Sequence, residues 1–132
     1  MIHLIELFSA NSDWKVLSHF FMHPNTAYYI NELARTLNIS PGSVYSSVKR
    51  LESESLLTKE ELGKAHYYRL NKEHLIVGSL KKAYGIGFIL SANVMDVFLE
   101  NDPGIISLAL YGSFASGNYD ENSDIDFLII TS

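Results

Sequence analysis

Two apolar stripes of helical spacing lie in residues 30–51, which read INELARTLNISPGSVYSSVKRL. In the second half of this stretch Val44, Val48 and Leu51 recur at i, i+4 and i+7, which is the spacing of one face of an α-helix. The segment NISPG between the stripes is typical of a tight break, because proline and glycine interrupt regular structure. The stretch therefore predicts two short helices joined by a turn.

Polar and turn residues mark the limits of these helices and of their neighbours. Asn31 is suited to cap the first helix, and Ser40 with Pro41 is suited to the N-cap and first position of the second. Upstream, an amphipathic run should end before Pro24, because the residue before proline disfavours the helical conformation. Downstream, two β-like runs surround Gly63, whose freedom at positive φ suits a hairpin turn.

The order helix, short strand, helix, turn, helix and hairpin resembles the winged helix-turn-helix family over residues 10–72. One departure is Ser55, where the family usually has glycine before the first wing strand. The resemblance implies binding of double-stranded DNA, with the third helix in the major groove. We expect DNA contacts from the polar face of this helix and from the hairpin tip, by Ser43, Tyr45, Ser46, Lys49, Arg50, Lys64 and His66. The alternative is a module that docks proteins.

Residues 73–103 read as a helical connector. The run Gly85-Ile86-Gly87 argues against one straight helix, since each glycine costs about 1 kcal/mol relative to alanine. The apolar residues 86–99 are too few for a membrane span and include Asn93 and Asp96. The connector is suited either to dimerisation or to packing on its neighbour.

A second set of motifs lies near residue 112. An apolar strand over residues 105–111 leads into Gly112 and Ser113, and Asp124-Ile125-Asp126 leads into a second apolar strand. Together these pieces resemble the nucleotidyltransferase superfamily of DNA polymerase beta, closest to its minimal prokaryotic members, over residues 104–132. A bare Asp-x-Asp would more simply be an acidic surface turn.

The spacing of the two carboxylates explains the expected chemistry. Residues i and i+2 of a strand point to the same side, about 6.7 Å apart. Asp124 and Asp126 could therefore share divalent ions that lie about 4 Å from each other. The resemblance implies that both acids are catalytic and hold Mg²⁺ or Mn²⁺, and that Gly112 and Ser113 bind the phosphates of an NTP, with ATP as the expected substrate. The reaction would transfer a nucleoside monophosphate to an acceptor hydroxyl.

The family needs a third carboxylate from a later strand, but six residues follow Asp126. We therefore expect this chain to be inactive alone and to be a truncated form of a longer enzyme. Completion of the sheet by another copy and a degenerate module are the alternatives. The competing function is a transcriptional regulator whose nucleotidyltransferase-like part only senses nucleotides or dimerises.

Composition sets the remaining expectations. The 132 residues are 47% hydrophobic, contain no cysteine and carry a net charge of -5. Residues 1–72 hold eight Lys and Arg against seven Asp and Glu, whereas residues 73–132 hold two against eight. The second half is thus suited to cations and the first half to a local basic surface.

We predict an α+β chain with a DNA-binding domain (1–72), a connector (73–103) and an incomplete nucleotidyltransferase domain (104–132). We also expect it to be cytoplasmic, homodimeric and free of membrane contact, with a toxin-like protein as a conceivable partner.

Overall fold

Residues 11–132 form an α+β fold in the computed structural model, so the predicted fold class is confirmed at that level. The first ten residues of the predicted domain 1–72 lie outside the described residues. In chain order the elements are α1 (Ser12–Met22), α2 (Ile30–Leu37), α3 (Pro41–Ser53), β1 (Leu57–Leu62), β2 (Ala65–Leu70), α4 (Leu75–Ser91), α5 (Val94–Asn101), β3 (Ile105–Tyr111), α6 (Ser113–Ser116) and β4 (Asp126–Thr131). Strands β1 and β2 form one antiparallel sheet, and β3 and β4 form another.

The start of α3 was predicted correctly, whereas the start of α2 was not. The Ser40 hydroxyl accepts a backbone N–H at 3.2 Å, and Pro41 is the first residue of α3. Helix α2 begins at Ile30, and Tyr29 rather than Asn31 precedes it as the N-cap. The Glu32 carboxylate accepts the Tyr29 N–H at 3.0 Å, which satisfies a donor at the helix start.

Helices α1 to α3 and the β1–β2 hairpin share one core. The apolar face predicted for α3 is buried in it through Val44, Val48 and Leu51. Gly63 has a φ of 64° in the hairpin turn, as predicted. Ser55 has a φ of 63°, so a serine takes the left-handed conformation that favours glycine where the chain leaves α3 for β1.

The connector is not one straight helix, in agreement with the expectation, but the interruption does not lie at the glycines that suggested it. Helix α4 runs through Gly85, Ile86 and Gly87 without interruption, so these glycines do not end it. The break lies at Asn93, which has a φ of 51° immediately before α5. Gly85 and Gly87 are buried, and the small size of Gly85 allows the Tyr119 ring to approach α4 closely.

Residues 75–101 are the only helical stretch within 11–132 that is long and apolar enough to cross a membrane. The turn at Asn93 divides this stretch into α4, of 17 residues, and α5, of 8 residues. A spanning helix needs about 20 consecutive apolar residues, so neither piece reaches that length alone.

Helix α4 contributes one buried stripe to both halves of the molecule. Val77 and Tyr84 join the first core, where the rings of Tyr84 and Phe21 lie 5.7 Å apart. Lys81 and Gly85 belong to the same stripe, but they contact the chain that follows α6. The connector is therefore a structural part of both predicted domains, with side chains packed against each.

The β3–β4 sheet has one covered face and one open face. Leu110 pairs with Phe127, and both side chains pack near α4 and α5. Leu128 and Ile130 alternate with these residues and remain 57% and 51% exposed. The end of the sheet that carries Asp126 is thus covered on one face by the connector helices α4 and α5.

Candidate functional site

The register of the β3–β4 sheet brings Asp126 beside Gly112. Tyr111, the last residue of β3, pairs directly with Asp126, the first residue of β4. A Cβ atom placed on Gly112 would lie 2.5 Å from Oδ2 of Asp126, which is closer than real Cβ contacts come. The Asp126 carboxylate therefore lies directly over the bare backbone of Gly112.

The backbone of Gly112 is itself in a conformation reserved for glycine. Its φ is 76° and its ψ is -154°, a region that residues with a side chain essentially do not adopt. The chain then closes into a compact turn over residues 112–117, which we call the glycine turn. Within it, the Ser116 N–H donates to the Gly112 carbonyl at 3.1 Å, and the Gly117 N–H donates to the Ser113 carbonyl at 2.9 Å.

The two predicted carboxylates differ in their position. Asp126 is half-buried and begins β4, whereas Asp124 is exposed in the segment before the strand. The prediction that both acids lie on one strand is therefore wrong for Asp124. Among residues 11–132 no group of three or more His, Asp or Glu side chains is arranged to hold a metal ion. The sheet register thus places the Asp126 carboxylate at Gly112, and Asp124 lies two positions before it in the chain.

This edge lies within the part of the chain that is similar to known proteins. Residues 92–132 match the family model of the nucleotidyltransferase domain. The match begins near the end of α4 and includes α5, the β3–β4 sheet, the glycine turn and both carboxylates. It supports nucleotidyl transfer as the class of chemistry for this segment. No curated protein matches the chain.

Within this nucleotidyltransferase-like segment, Tyr119 anchors the chain that follows the glycine turn. Its side chain is 1% exposed, and its ring stacks on that of Phe114 with centroids 4.3 Å apart. Its hydroxyl donates to the Lys81 carbonyl at 2.8 Å. Burial raises the pKa of Tyr119, so the phenol keeps its proton and remains a donor. The loop 118–123 is therefore attached to α4 at this residue.

Lys81 completes the same attachment from the side of α4. Its ammonium group donates to the Gly117 carbonyl at 2.6 Å and to the Tyr119 carbonyl, and it lies 3.6 Å from the centre of the Tyr119 ring. Burial lowers the pKa of Lys81 to about 8. Sequence reasoning missed both Lys81 and Tyr119, although a tyrosine within a polar loop and a lysine on an apolar helix face were visible signals.

The residues predicted to contact DNA fall into two groups. Ser43, Tyr45 and Ser46 are exposed on one side of α3. Lys49 lies on the same helix, with its ammonium group 3.3 Å from the Glu52 carboxylate and 5.7 Å from the centre of the Tyr45 ring. These residues form a polar surface that also carries an acidic side chain.

Arg50 is already engaged within the protein. Its guanidinium group donates to both carboxylate oxygens of Asp13, at 2.8 and 2.7 Å, and so connects α3 to α1. The hydrogen bond from Arg50 holds the pKa of Asp13 below its usual value, and the Ser47 hydroxyl also donates to Asp13. Arg50 would have to leave this ion pair to reach a phosphate group.

The remaining predicted DNA contacts lie at the hairpin. Lys64 and His66 are exposed at or beside the turn, as expected for residues that could reach a neighbouring molecule. The His66 Nε2 atom lies 3.7 Å from the Glu61 carboxylate, and Glu60 precedes Glu61 in β1. The hairpin therefore mixes basic and acidic groups.

Proposed function

We propose that the chain carries the nucleotide-binding part of a nucleotidyltransferase, which transfers a nucleoside monophosphate from an NTP, expected to be ATP, to an acceptor hydroxyl. The observation that carries this proposal is the position of Asp126 over the bare backbone of Gly112, inside the matched segment. The metal ion that accompanies a phosphate chain needs a carboxylate. The missing side chain of Gly112 lets Asp126 bring one against the backbone of the glycine turn.

Residues of the site divide these tasks between them. Asp124 and Asp126 provide carboxylate oxygens, which are the ligands that Mg²⁺ prefers. A bound divalent ion would neutralise charge on the phosphates and polarise the reacting oxygens. Gly112 allows the Asp126 carboxylate to lie against the backbone of the glycine turn, and Ser113 brings a hydroxyl to the same turn.

Removal of the two carboxylates should abolish Mg²⁺-dependent nucleotide binding. We expect the Asp124→Asn, Asp126→Asn double variant to lose the Mg²⁺-dependent changes in amide chemical shift that ATP causes at residues 112–117 of the wild-type chain. The reason is that amides are much weaker ligands for Mg²⁺ than charged carboxylates. The measurement is an NMR titration with ATP, with and without Mg²⁺.

A matched control keeps the change in net charge constant. The Glu73→Gln, Glu100→Gln double variant removes two exposed acids away from the β3–β4 edge, and it should bind Mg²⁺–ATP like the wild type. Equal binding by the Asp124→Asn, Asp126→Asn variant would contradict the proposal. Absence of any Mg²⁺–ATP binding by the wild-type chain would favour a regulator whose nucleotidyltransferase-like part serves dimerisation.

We also propose that the first half binds double-stranded DNA as a winged helix-turn-helix domain. Support comes from the arrangement of α1 to α3 with the β1–β2 hairpin, together with small exposed residues at the start of α3. Such residues allow a helix to approach base edges in the major groove. Lys49 and Lys64 would contact phosphates, whereas Arg50 is held by Asp13.

The DNA proposal predicts a change in salt dependence. We expect Lys49→Ala with Lys64→Ala to weaken DNA binding and to reduce the slope of log affinity against log salt concentration by about 2, because each phosphate contact contributes about 0.9. Fluorescence anisotropy with a duplex at several salt concentrations measures both quantities. The Lys82→Ala variant removes a charge from α4 and should leave the slope unchanged. An unaltered slope in the double variant would eliminate this surface as the DNA site.

A further inference from the structure

An ammonium group buried against backbone carbonyls needs an explanation. Lys81 is 5% exposed, and its Nζ atom is surrounded by the Gly117 carbonyl, the Tyr119 carbonyl and the face of the Tyr119 ring. None of these three neighbours carries a full negative charge, and Asp120 and Glu121 favour the charged form only through longer-range attraction. The hydration lost by the ammonium group is replaced chiefly by two backbone carbonyls and a ring face.

The hydrogen bonds of Lys81 continue into the glycine turn. Gly117, whose carbonyl accepts from Lys81, donates its N–H to the Ser113 carbonyl at 2.9 Å. Ser116 donates to the Gly112 carbonyl at 3.1 Å, and Gly112 lies beneath the Asp126 carboxylate. A short path of bonds therefore connects the ammonium group on α4 with the backbone that faces Asp126.

Close packing at the same place makes this path rigid. A Cβ atom on Gly117 would lie 2.7 Å from Cβ of Lys82, so the end of the glycine turn rests directly on α4. The helix is in turn fixed to the first core by Val77 and Tyr84. The glycine turn is thus positioned by a helix outside the sheet that carries it.

We infer that Lys81 is a positioning residue for nucleotide binding: its ammonium group holds the Gly117 and Tyr119 carbonyls and thereby sets the glycine turn relative to Asp126. The inference rests on the proposed function, since it assigns a role in the same site. Lys81 does not itself line the space between Gly112 and Asp126. Its effect on a nucleotide is exerted through the backbone of residues 112–117.

The Lys81→Met variant tests this role, because methionine keeps an unbranched apolar side chain and removes the donors. We expect the affinity for Mg²⁺–ATP to fall about tenfold, as is typical when a residue that orients the groups of a metal site is removed. The thermal midpoint should stay close to that of the wild type, because loss of two hydrogen bonds is offset by removal of a buried charge. Isothermal titration calorimetry and thermal unfolding give the two readouts.

The neighbouring Lys82→Met variant is the matched control. Lys82 has the same charge and lies on the same helix. Methionine keeps the Cβ and Cγ atoms that lie near Gly117 and removes only an exposed ammonium group, so Mg²⁺–ATP binding should be unchanged. If wild-type protein fails to bind Mg²⁺–ATP, the proposed function fails. If the wild type binds and Lys81→Met binds equally well, the proposed function stands and the positioning role is refuted. A thermal midpoint that falls together with the affinity would indicate a purely structural role.

The pH dependence of Mg²⁺–ATP binding by the wild type tests the positioning role of Lys81 independently. This test also applies if the Lys81→Met variant does not fold. Tyr119, Asp120, Glu121 and Lys72 are the titratable groups around Lys81. Because Lys81 loses its proton near pH 8 and the buried Tyr119 phenol does not, Mg²⁺–ATP affinity and the amide shifts of the glycine turn should change with a midpoint near that pH. Lys82→Met should show the same profile. Flat profiles between pH 7 and pH 9 would overturn the inference.

Discussion

The Gly112→Ala variant is expected to lose Mg²⁺–ATP binding. Alanine would place a Cβ atom 2.5 Å from Oδ2 of Asp126 and would hold a backbone with a φ of 76° that it strongly disfavours. Either the Asp126 carboxylate or the turn must move. Because Asp126 is the carboxylate expected to hold the metal ion, we expect the affinity for Mg²⁺–ATP to fall about 10- to 100-fold, which is usual when the orientation of a metal ligand is disturbed. Calorimetry with Mg²⁺ and ATP measures it.

The free energy of unfolding of Gly112→Ala shows whether a loss of binding comes from local strain or from unfolding of the chain. We expect the free energy of unfolding to fall by about 2 kcal/mol, which is the usual range for one residue held in such a conformation. Gly42→Ala is the control, since a Cβ atom at Gly42 meets nothing within 4 Å. It should bind Mg²⁺–ATP normally. Wild-type affinity in Gly112→Ala would show that the position of Asp126 against the Gly112 backbone is not needed for nucleotide binding.

The second large effect is expected for Gly85→Ala, in the middle of α4. A Cβ atom there would lie 2.5 Å from Cε1 of Tyr119 and 3.1 Å from Cζ. Tyr119 has little freedom to move, because it is stacked on Phe114 and donates to the Lys81 carbonyl. Overpacking of a core typically costs about 1–3 kcal/mol, and we expect about 2 kcal/mol here. Urea unfolding gives the free energy.

The same helix offers a control for Gly85→Ala. Gly78 also lies in α4, but it is exposed and a Cβ atom there meets nothing within 4 Å. Gly78→Ala should therefore raise the free energy of unfolding by about 0.5–1 kcal/mol, which is the gain in helix propensity. Opposite signs at Gly78 and Gly85 would establish that Gly85 serves the contact with Tyr119. A gain at both positions would contradict that contact.

Local sequence signals were sufficient for much of the first half. The apolar face of α3 follows from the spacing of Val44, Val48 and Leu51, and the start of this helix follows from Ser40 and Pro41, because stripes and caps act over a few residues. The start of α2 was misplaced by the same kind of reasoning. There the Glu32 side chain, rather than Asn31, satisfies the free donor at the helix start.

The two glycines of α4 show where local reasoning failed. The low helix propensity of Gly85 and Gly87 argued against one straight helix, yet α4 continues through both glycines to Ser91. Propensity is a weak preference that burial can override, and Gly85 is used for contact with Tyr119, which lies 34 positions further along the chain. The break at Asn93 had no comparable signal, because asparagine adopts the left-handed conformation in many contexts.

For the candidate site, the sequence alone determined the chemical groups: two carboxylates two positions apart and a glycine followed by serine at the end of an apolar strand. Tertiary structure decided their arrangement, because the β3–β4 register brings Asp126 over Gly112 and leaves Asp124 before the strand. It also decided the role of Lys81, whose partners lie 36 and 38 positions away. Composition and spacing describe neighbours along the chain, whereas a buried ammonium group finds its acceptors only after the helix and the turn have packed together.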